Sequence, residues 1–192
     1  MRVISGTRKG HKLKSPIKGD SIRPTEDRIK ESLFNILGII KRDSIVLDLF
    51  SGSGSIGIEF LSRGAKKCYF VDMSKKSIST IKENLSHTRL LDNAIVIRSD
   101  SIKAIQYLGN KNLKFDYIYL DPPFNKHTLL TKAINTIVEY EILSYKGIMI
   151  IEHEKQFILD EDLPKFKQID YRNYGSKSIA FYRWNSNRRD KR

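Results

Sequence analysis

Residues 45–57, Ile-Val-Leu-Asp-Leu-Phe-Ser-Gly-Ser-Gly-Ser-Ile-Gly, constrain this chain more than any other stretch. An apolar run that breaks into a glycine-rich turn and resumes at helical spacing is a strand feeding directly into a helix. Gly52 and Gly54 supply the tight turn and remove Cβ atoms where a ligand must lie against the backbone. Gly57 lets the new helix pack closely on the strand. The stretch is therefore the floor of a site for a nucleotide-like ligand, and it commits the surrounding chain to an α/β architecture.

Gly52-x-Gly54-x-x-Gly57 also satisfies the dinucleotide fingerprint, with Asp72 twenty positions after Gly52 at the end of the next apolar run. Asp48 argues against a dinucleotide. A carboxylate at the end of that strand would repel a pyrophosphate, whereas it would attract a cofactor that carries an ammonium and a sulfonium. S-adenosylmethionine has that charge pattern. Asp48, Phe50, Gly52 and Gly54, with Ser51 between them, resemble the first motif of class I S-adenosylmethionine-dependent methyltransferases.

A chain of 192 residues provides one α/β core and a small appendage. It has no apolar run of 18 residues and no charged-then-apolar leader, so a cytoplasmic protein without a membrane span is expected. The single Cys68 excludes a disulfide framework and a thiolate cage, and His11, His87, His127 and His153 lack ligand spacing, so no metal is expected. Residues 1–19 hold six Lys/Arg and no acid, and residues 183–192 hold five against one, so +10 of the net charge of +13 sits at the two ends. That distribution suits a polyanionic partner. Residues 186–192 read as a frayed basic tail.

Residues 2–5 and 11–14 flank Gly6-Thr-Arg-Lys-Gly10 and read as a short β-hairpin that carries Arg8, Lys9, Lys12 and Lys14 on a mobile arm. Two strands are marginal alone, so the arm must lean on the main domain or be ordered by its partner. Thr25 reads as the N-cap of a helix whose inward face is Ile29, Leu33, Ile36, Leu37 and Ile40. Arg23 and Arg28 stand at its start, either as ligand contacts or as ordinary solvated helix-end charges. Lys67–Asp72 reads as the second strand. Asp72 at its carboxyl end suits the two ribose hydroxyls of an adenosine, with Met73 beside it, and Ser74 caps the next helix. Ala94–Ile97 is a third strand. Asp100 and Ser101 follow it, Asp100 being either an acceptor for the adenine amino group or a structural cap.

Phe115–Asp121 is a fourth strand that runs into Pro122-Pro123-Phe124. Two prolines after an acid hold the backbone extended, so the Asp121 carboxylate and the Pro122 carbonyl become fixed acceptors. Rigid acceptors suit an exocyclic amine, since accepting its N–H bonds favours the pyramidal nitrogen that attacks a methyl group. Phe124 would stack on the base. A helix is expected over residues 133–143, a buried fifth strand over 147–151, and an antiparallel hairpin from the runs 166–172 and 178–184. Asp121-Pro-Pro-Phe124, about 70 residues after the glycine loop, resembles the fourth motif of amino-methyltransferases.

The opening Met-Arg-Val-Ile-Ser-Gly, the block from Arg23-Pro24-Thr25 to Leu37, the glycine loop and Asp121-Pro-Pro-Phe124 together resemble the bacterial 16S rRNA guanine-N2 methyltransferases that act at position 966. The resemblance implies a seven-stranded, mostly parallel Rossmann-like sheet with helices on both faces and a small N-terminal β-hairpin. It implies S-adenosylmethionine as cofactor, held by Asp48, Phe50, Ser51, Gly52, Gly54, Asp72, Met73, Asp100 and Ser101. Asp121, Pro122, Pro123 and Phe124 would form the catalytic motif, and Arg8, Lys9, Lys12, Lys14, Arg23 and Arg28 would meet 16S rRNA, free or within an assembling small subunit. The corresponding division is a basic extension over 1–22, a methyltransferase domain over 23–185 and the tail, in a monomer. A DNA adenine-N6 methyltransferase is the alternative that shares the acceptor motif, but 192 residues leave no room for a target-recognition domain. A noncatalytic RNA-binding protein would not need Asp121, and a nicotinamide oxidoreductase lacks an evident hydride-transfer acid.

Overall fold

The glycine-turn stretch folds as its pattern implies: β1 (Ile45–Leu49) enters the turn and α2 (Ser55–Ser62) leaves it. The computed structural model describes residues 1–16, 24–123, 126–157, 159, 163 and 165–185. After α1 (Pro24–Leu37), units of strand and helix follow β1 as α2, β2 (Lys67–Asp72), α3 (Lys75–His87), β3 (Ala94–Arg98), α4 (Ser101–Asn110), β4 (Phe115–Leu120), α5 (His127–Glu139) and β5 (Leu143–Glu154). The hairpin of β6 (Phe166–Tyr174) and β7 (Lys177–Trp184) closes the sheet. Strand order is β3-β2-β1-β4-β5-β7-β6, with β1 to β5 parallel and β7 antiparallel to both its neighbours. The chain thus reverses its direction of travel between β1 and β4, and the crevice outside the carboxyl ends of those strands is where an open α/β sheet binds ligands.

The sheet separates two apolar layers. One joins its face to α4 and α5 through residues such as Leu47, Ile105, Ile118, Ile134 and Ile151. The other packs Val46, Phe70 and Ile150 against α1, α2 and α3. Gly57 is required for the second layer: a Cβ there would stand 2.3 Å from the Phe70 ring and 2.7 Å from Cys68 Sγ. α2 ends at a left-handed Gly64, with the Gly64 and Ala65 amides returning to the carbonyls of Leu61 and Phe60.

Several expectations shift. α1 begins at Pro24, placing Thr25 inside the first turn rather than at the cap; proline is suited to that first position because it has no amide to leave unsatisfied. α5 starts at His127 and ends at Glu139, not over 133–143, because Glu141 turns left-handed (φ 49°) and Ile142 and Leu143 carry their apolar surface into β5. β5 is accordingly twelve residues long, far beyond 147–151.

The N-terminal hairpin is the largest difference. Only Arg2 and Lys12 form a bridge, and the segment is docked rather than mobile: Val3 and Leu13 are buried in the layer with α1 and α2. Its backbone is fastened to α2, with the amides of Ile4 and Ser5 donating to the two carboxylate oxygens of Glu59 (2.8 and 2.9 Å) and that of Arg8 to Ser62 Oγ (3.0 Å). Glu59, wholly buried, also meets Lys30 at 3.5 Å and Arg63 at 2.8 Å. These contacts, added to the hairpin's own bonds from Val3 to His11 and from Leu13 to Met1, order a hairpin too short to stand alone.

Candidate active site

At the end of β1 the backbone turns sharply through left-handed conformations at Phe50 (φ 68°), Gly52 (55°) and Gly54 (77°). A phenylalanine there costs about 1–3 kcal/mol, and the hydrogen bonds of its neighbour Ser51 hold it in place. Ser51 is buried, its hydroxyl donating to the Asp48 carbonyl (2.6 Å) and accepting from the Val71 amide (2.9 Å), which stitches β1 to β2. Ser51 therefore shapes the loop with its side chain and offers a ligand little beyond its backbone.

Asp48 lies beneath the loop, 2 % exposed, and its carboxylate accepts the Gly57 amide at 3.0 Å. It does not stand open at the strand's end as the sequence suggested, because the alternation of β1 turns it with Val46 into the layer under α2. Burial pushes its carboxyl up to about 7, the Gly57 amide offsetting part of this and the nearby Asp72 adding to it. Asp48 thus anchors the loop from beneath.

Asp72 ends β2 facing the same loop. One carboxylate oxygen accepts the Gly52 amide (2.9 Å) and the other the Ser74 amide (2.8 Å), while Ser74 itself caps α3 through the Ser77 amide. Met73 is 71 % exposed beside it. Asp100 is the cap of α4, with Oδ1 accepting the amides of Ile102 and Lys103, and the cap reading is the one that its geometry displays. Ser101 is buried with a hydroxyl that meets no partner among the described residues.

Across the switch point, Asp121, Pro122 and Pro123 leave β4. The register that pairs Leu49 with Leu120 sets Phe50 and Asp121 at one level. Phe124 and Arg23 lie outside the described residues. Asp121, Pro122 and Pro123 line a cleft together with His127, Glu152, His153 and Lys177. The buried Tyr119 hydroxyl donates to one oxygen of Glu152 and the Lys177 ammonium donates to the other. Burial and the charges of Glu152 and Asp121 hold the Tyr119 phenol well above its ordinary range, so it remains a donor. His127 stacks on Phe157 at 4.1 Å, and burial pushes His153 down towards its neutral form.

Tyr119, Glu152 and Lys177 were not foreseen. Tyr119 had a signal, standing two residues before Asp121 on one face of a strand. Glu152 and Lys177 had none, because only the β4–β5 and β5–β7 pairings bring them to the motif. Lys9, Lys12 and Arg28 are exposed. Arg8 is half-buried, and its Nε meets no partner among the described residues. Lys14 is exposed but already paired with Glu83 at 2.9 Å.

The loop fits the cofactor that its motif implies. A Cβ built on Gly52 would meet no neighbouring protein atom within 4 Å, so the space above that turn is open, and Asp72 faces the same turn. Fold and site together define a class I S-adenosylmethionine-dependent methyltransferase. The chain belongs to the family described as Conserved hypothetical protein 95, whose profile matches residues 1–183. It is 40 % identical over 184 residues to the "Putative rRNA methyltransferase YlbH" of Bacillus subtilis (strain 168), covering 95 % of this chain and 98 % of that one. It is 34 % identical over 154 residues to "Ribosomal RNA small subunit methyltransferase D" of Escherichia coli (strain K12), covering 80 % and 75 %. The solved "Putative methyltransferase yhhF" of Escherichia coli superimposes with a TM-score of 0.82 at 26 % identity, over 97 % of this chain and 98 % of that one.

Proposed function

We propose that this protein methylates the exocyclic N2 of a guanine in 16S rRNA, the guanine at position 966 by its family resemblance. The observation that carries the reading is the position of Asp121-Pro122-Pro123, which sets rigid acceptors across the switch point from the glycine loop. The names of its relatives support an RNA substrate. S-adenosylmethionine, when bound, supplies a methyl group on a sulfonium. Asp48 and Asp72 hold the loop that seats it, and Asp72 offers lone pairs to the ribose. The Asp121 carboxylate and the Pro122 carbonyl accept the two N–H bonds of the amine, which localises its lone pair and stabilises the positive charge that develops on nitrogen. The prolines keep both acceptors from rotating away, so no reorganisation is needed as that charge grows. Phe124 would stack on the base.

Arg8, Lys9, Lys12, Lys14, Arg23 and Arg28 would meet RNA phosphates, from a basic extension over residues 1–22 and the start of α1. The work would be done in the cytoplasm by a monomer on RNA of the assembling small subunit, with residues 23–185 as the methyltransferase unit.

Nucleoside mass spectrometry of 16S rRNA tests this directly. A strain without the gene should lose one N2-methylguanosine, and the wild-type gene should restore it. In single-turnover assays Asp121→Ala should lower transfer by roughly 10²–10³ while cofactor affinity stays within a few fold. An unchanged nucleoside profile in the deletion strain overturns the reading.

A further inference from the structure

The cleft beside Asp121 takes polar groups from three adjacent strands. Asp121 follows β4, Glu152 lies on β5 and Lys177 opens β7, and β4, β5 and β7 are consecutive in the sheet. The pairing of Leu120 with Ile151 sets Asp121 beside Glu152, and the pairing of Glu154 with Lys177 sets Lys177 diagonal to Glu152. Glu152 is 5 % exposed and fixed by the Tyr119 hydroxyl and the Lys177 ammonium. Asp121, Glu152 and Lys177 therefore present acceptor, acceptor and donor in order across the sheet.

The Watson–Crick edge of guanine presents the complement. N2 and N1 carry hydrogens and O6 is an acceptor, so the order is donor, donor, acceptor. Adenine presents an amino donor and then the N1 lone pair, which would face the Glu152 carboxylate. We infer that Asp121, Glu152 and Lys177 read this edge, and that Lys177 is the residue that selects guanine by donating to O6. The inference rests on the proposed reaction at N2. It also accounts for a cation near a site built for a cationic cofactor: Glu152 offsets the ammonium, and the substrate's own oxygen takes up the donor. A carboxylate has about four lone-pair positions, so Glu152 can hold Tyr119 and Lys177 and still accept N1–H. Enzymes that act on extruded bases read this same edge by hydrogen bonds.

The test uses the full-length protein and 16S rRNA ligated to carry guanine or 2-aminopurine at the target position, reconstituted into small-subunit particles. 2-Aminopurine keeps the N2 amine and lacks both O6 and N1–H. Wild-type protein should prefer guanine by about 10⁴–10⁵ in single-turnover transfer, as sites built around a substrate's hydrogen bonds do. Lys177→Met should lower that preference by about 10–100-fold, the remainder being held by Glu152 at N1–H, and Lys177→Arg should keep most of it. Calorimetry with S-adenosylmethionine and melting temperatures identify a variant that has simply unfolded, and Glu152→Gln, which should also erode the preference, then serves as the second probe. A preference unchanged in folded Lys177→Met, or equal losses on both bases, overturns the inference. A wild-type protein that transfers no methyl group to either base fails the proposed function instead.

Discussion

Burying one carboxyl group beneath the glycine loop has a consequence that can be measured at the residue scale. Asp48 has a folded pKa of about 7 against an ordinary 3.8. Below pH 4 both folded and unfolded chains hold the proton. Between 4 and 7 the unfolded chain releases it first, so this group's contribution to stability falls as pH rises and is gone above about 7. The difference corresponds to about 4 kcal/mol at most. Asp48→Asn, which can still accept the Gly57 amide, should therefore raise the melting temperature of the cofactor-free protein at pH 8 by several degrees and change it little at pH 4. A cationic ligand reverses the preference and draws Asp48 into its ionised form. Affinity for S-adenosylmethionine should rise as pH climbs from 5 to 7, with release of up to one proton, and Asp48→Asn should flatten that slope. Calorimetry in buffers of different ionisation enthalpy counts the proton; a wild-type affinity without this slope would mean that Asp48 does not sense the ligand.

At the scale of elements, α2 joins two tasks. Its first turn leaves the glycine loop, and its middle carries Glu59, on which the N-terminal segment, Lys30 of α1 and Arg63 converge. Burial pushes Lys30 down and Glu59 opposes that, so the two need each other. Removing one partner of a buried pair costs about 3–5 kcal/mol, because the other charge stays buried and unpaired. Glu59→Ala should destabilise the protein by that amount in denaturant unfolding and open residues 2–14 to proteolysis. An unaltered midpoint would show that the amides of Ile4 and Ser5 find other acceptors. The same docking joins the arm to the cofactor loop through Asn84, whose side chain holds Lys14 by backbone bonds of 2.8 and 3.0 Å and the Ser53 carbonyl at 2.9 Å.

For the whole molecule, the N-terminal share of the basic excess lies on a segment that belongs to the core. Deleting residues 2–14 would remove Val3 and Leu13 from a packed layer and strip Glu59 of two donors, so loss of RNA binding by a deletion would not isolate charge. Replacing Lys9 and Lys12, which are exposed, by glutamine avoids this. For every phosphate that a lysine no longer neutralises, the slope of log affinity against log salt should shrink by roughly 0.7–0.9, with cofactor affinity unchanged. Filter binding across a salt series, beside calorimetry on the same preparation, measures both; an equal slope would mean these lysines face away from the RNA.

What the sequence determined by itself was local in origin. Periodicity marked the parallel strands, the spacing of Gly52, Gly54 and Gly57 marked the turn, and Asp121-Pro122-Pro123 marked the extended exit from β4, because a turn's geometry and a proline's restriction act within a few residues. Tertiary structure decided how those pieces are used. It turned Asp48 under the loop rather than onto it, since neighbouring strands and α2 cover that face of β1. It docked an arm that read as mobile, since Glu59, 54 residues from Ser5, supplies acceptors that no local pattern announces. It also brought Lys177 and Glu152 to Asp121, because strands adjacent in a sheet need not be adjacent in the chain, and side chains on neighbouring strands meet only once the register is set.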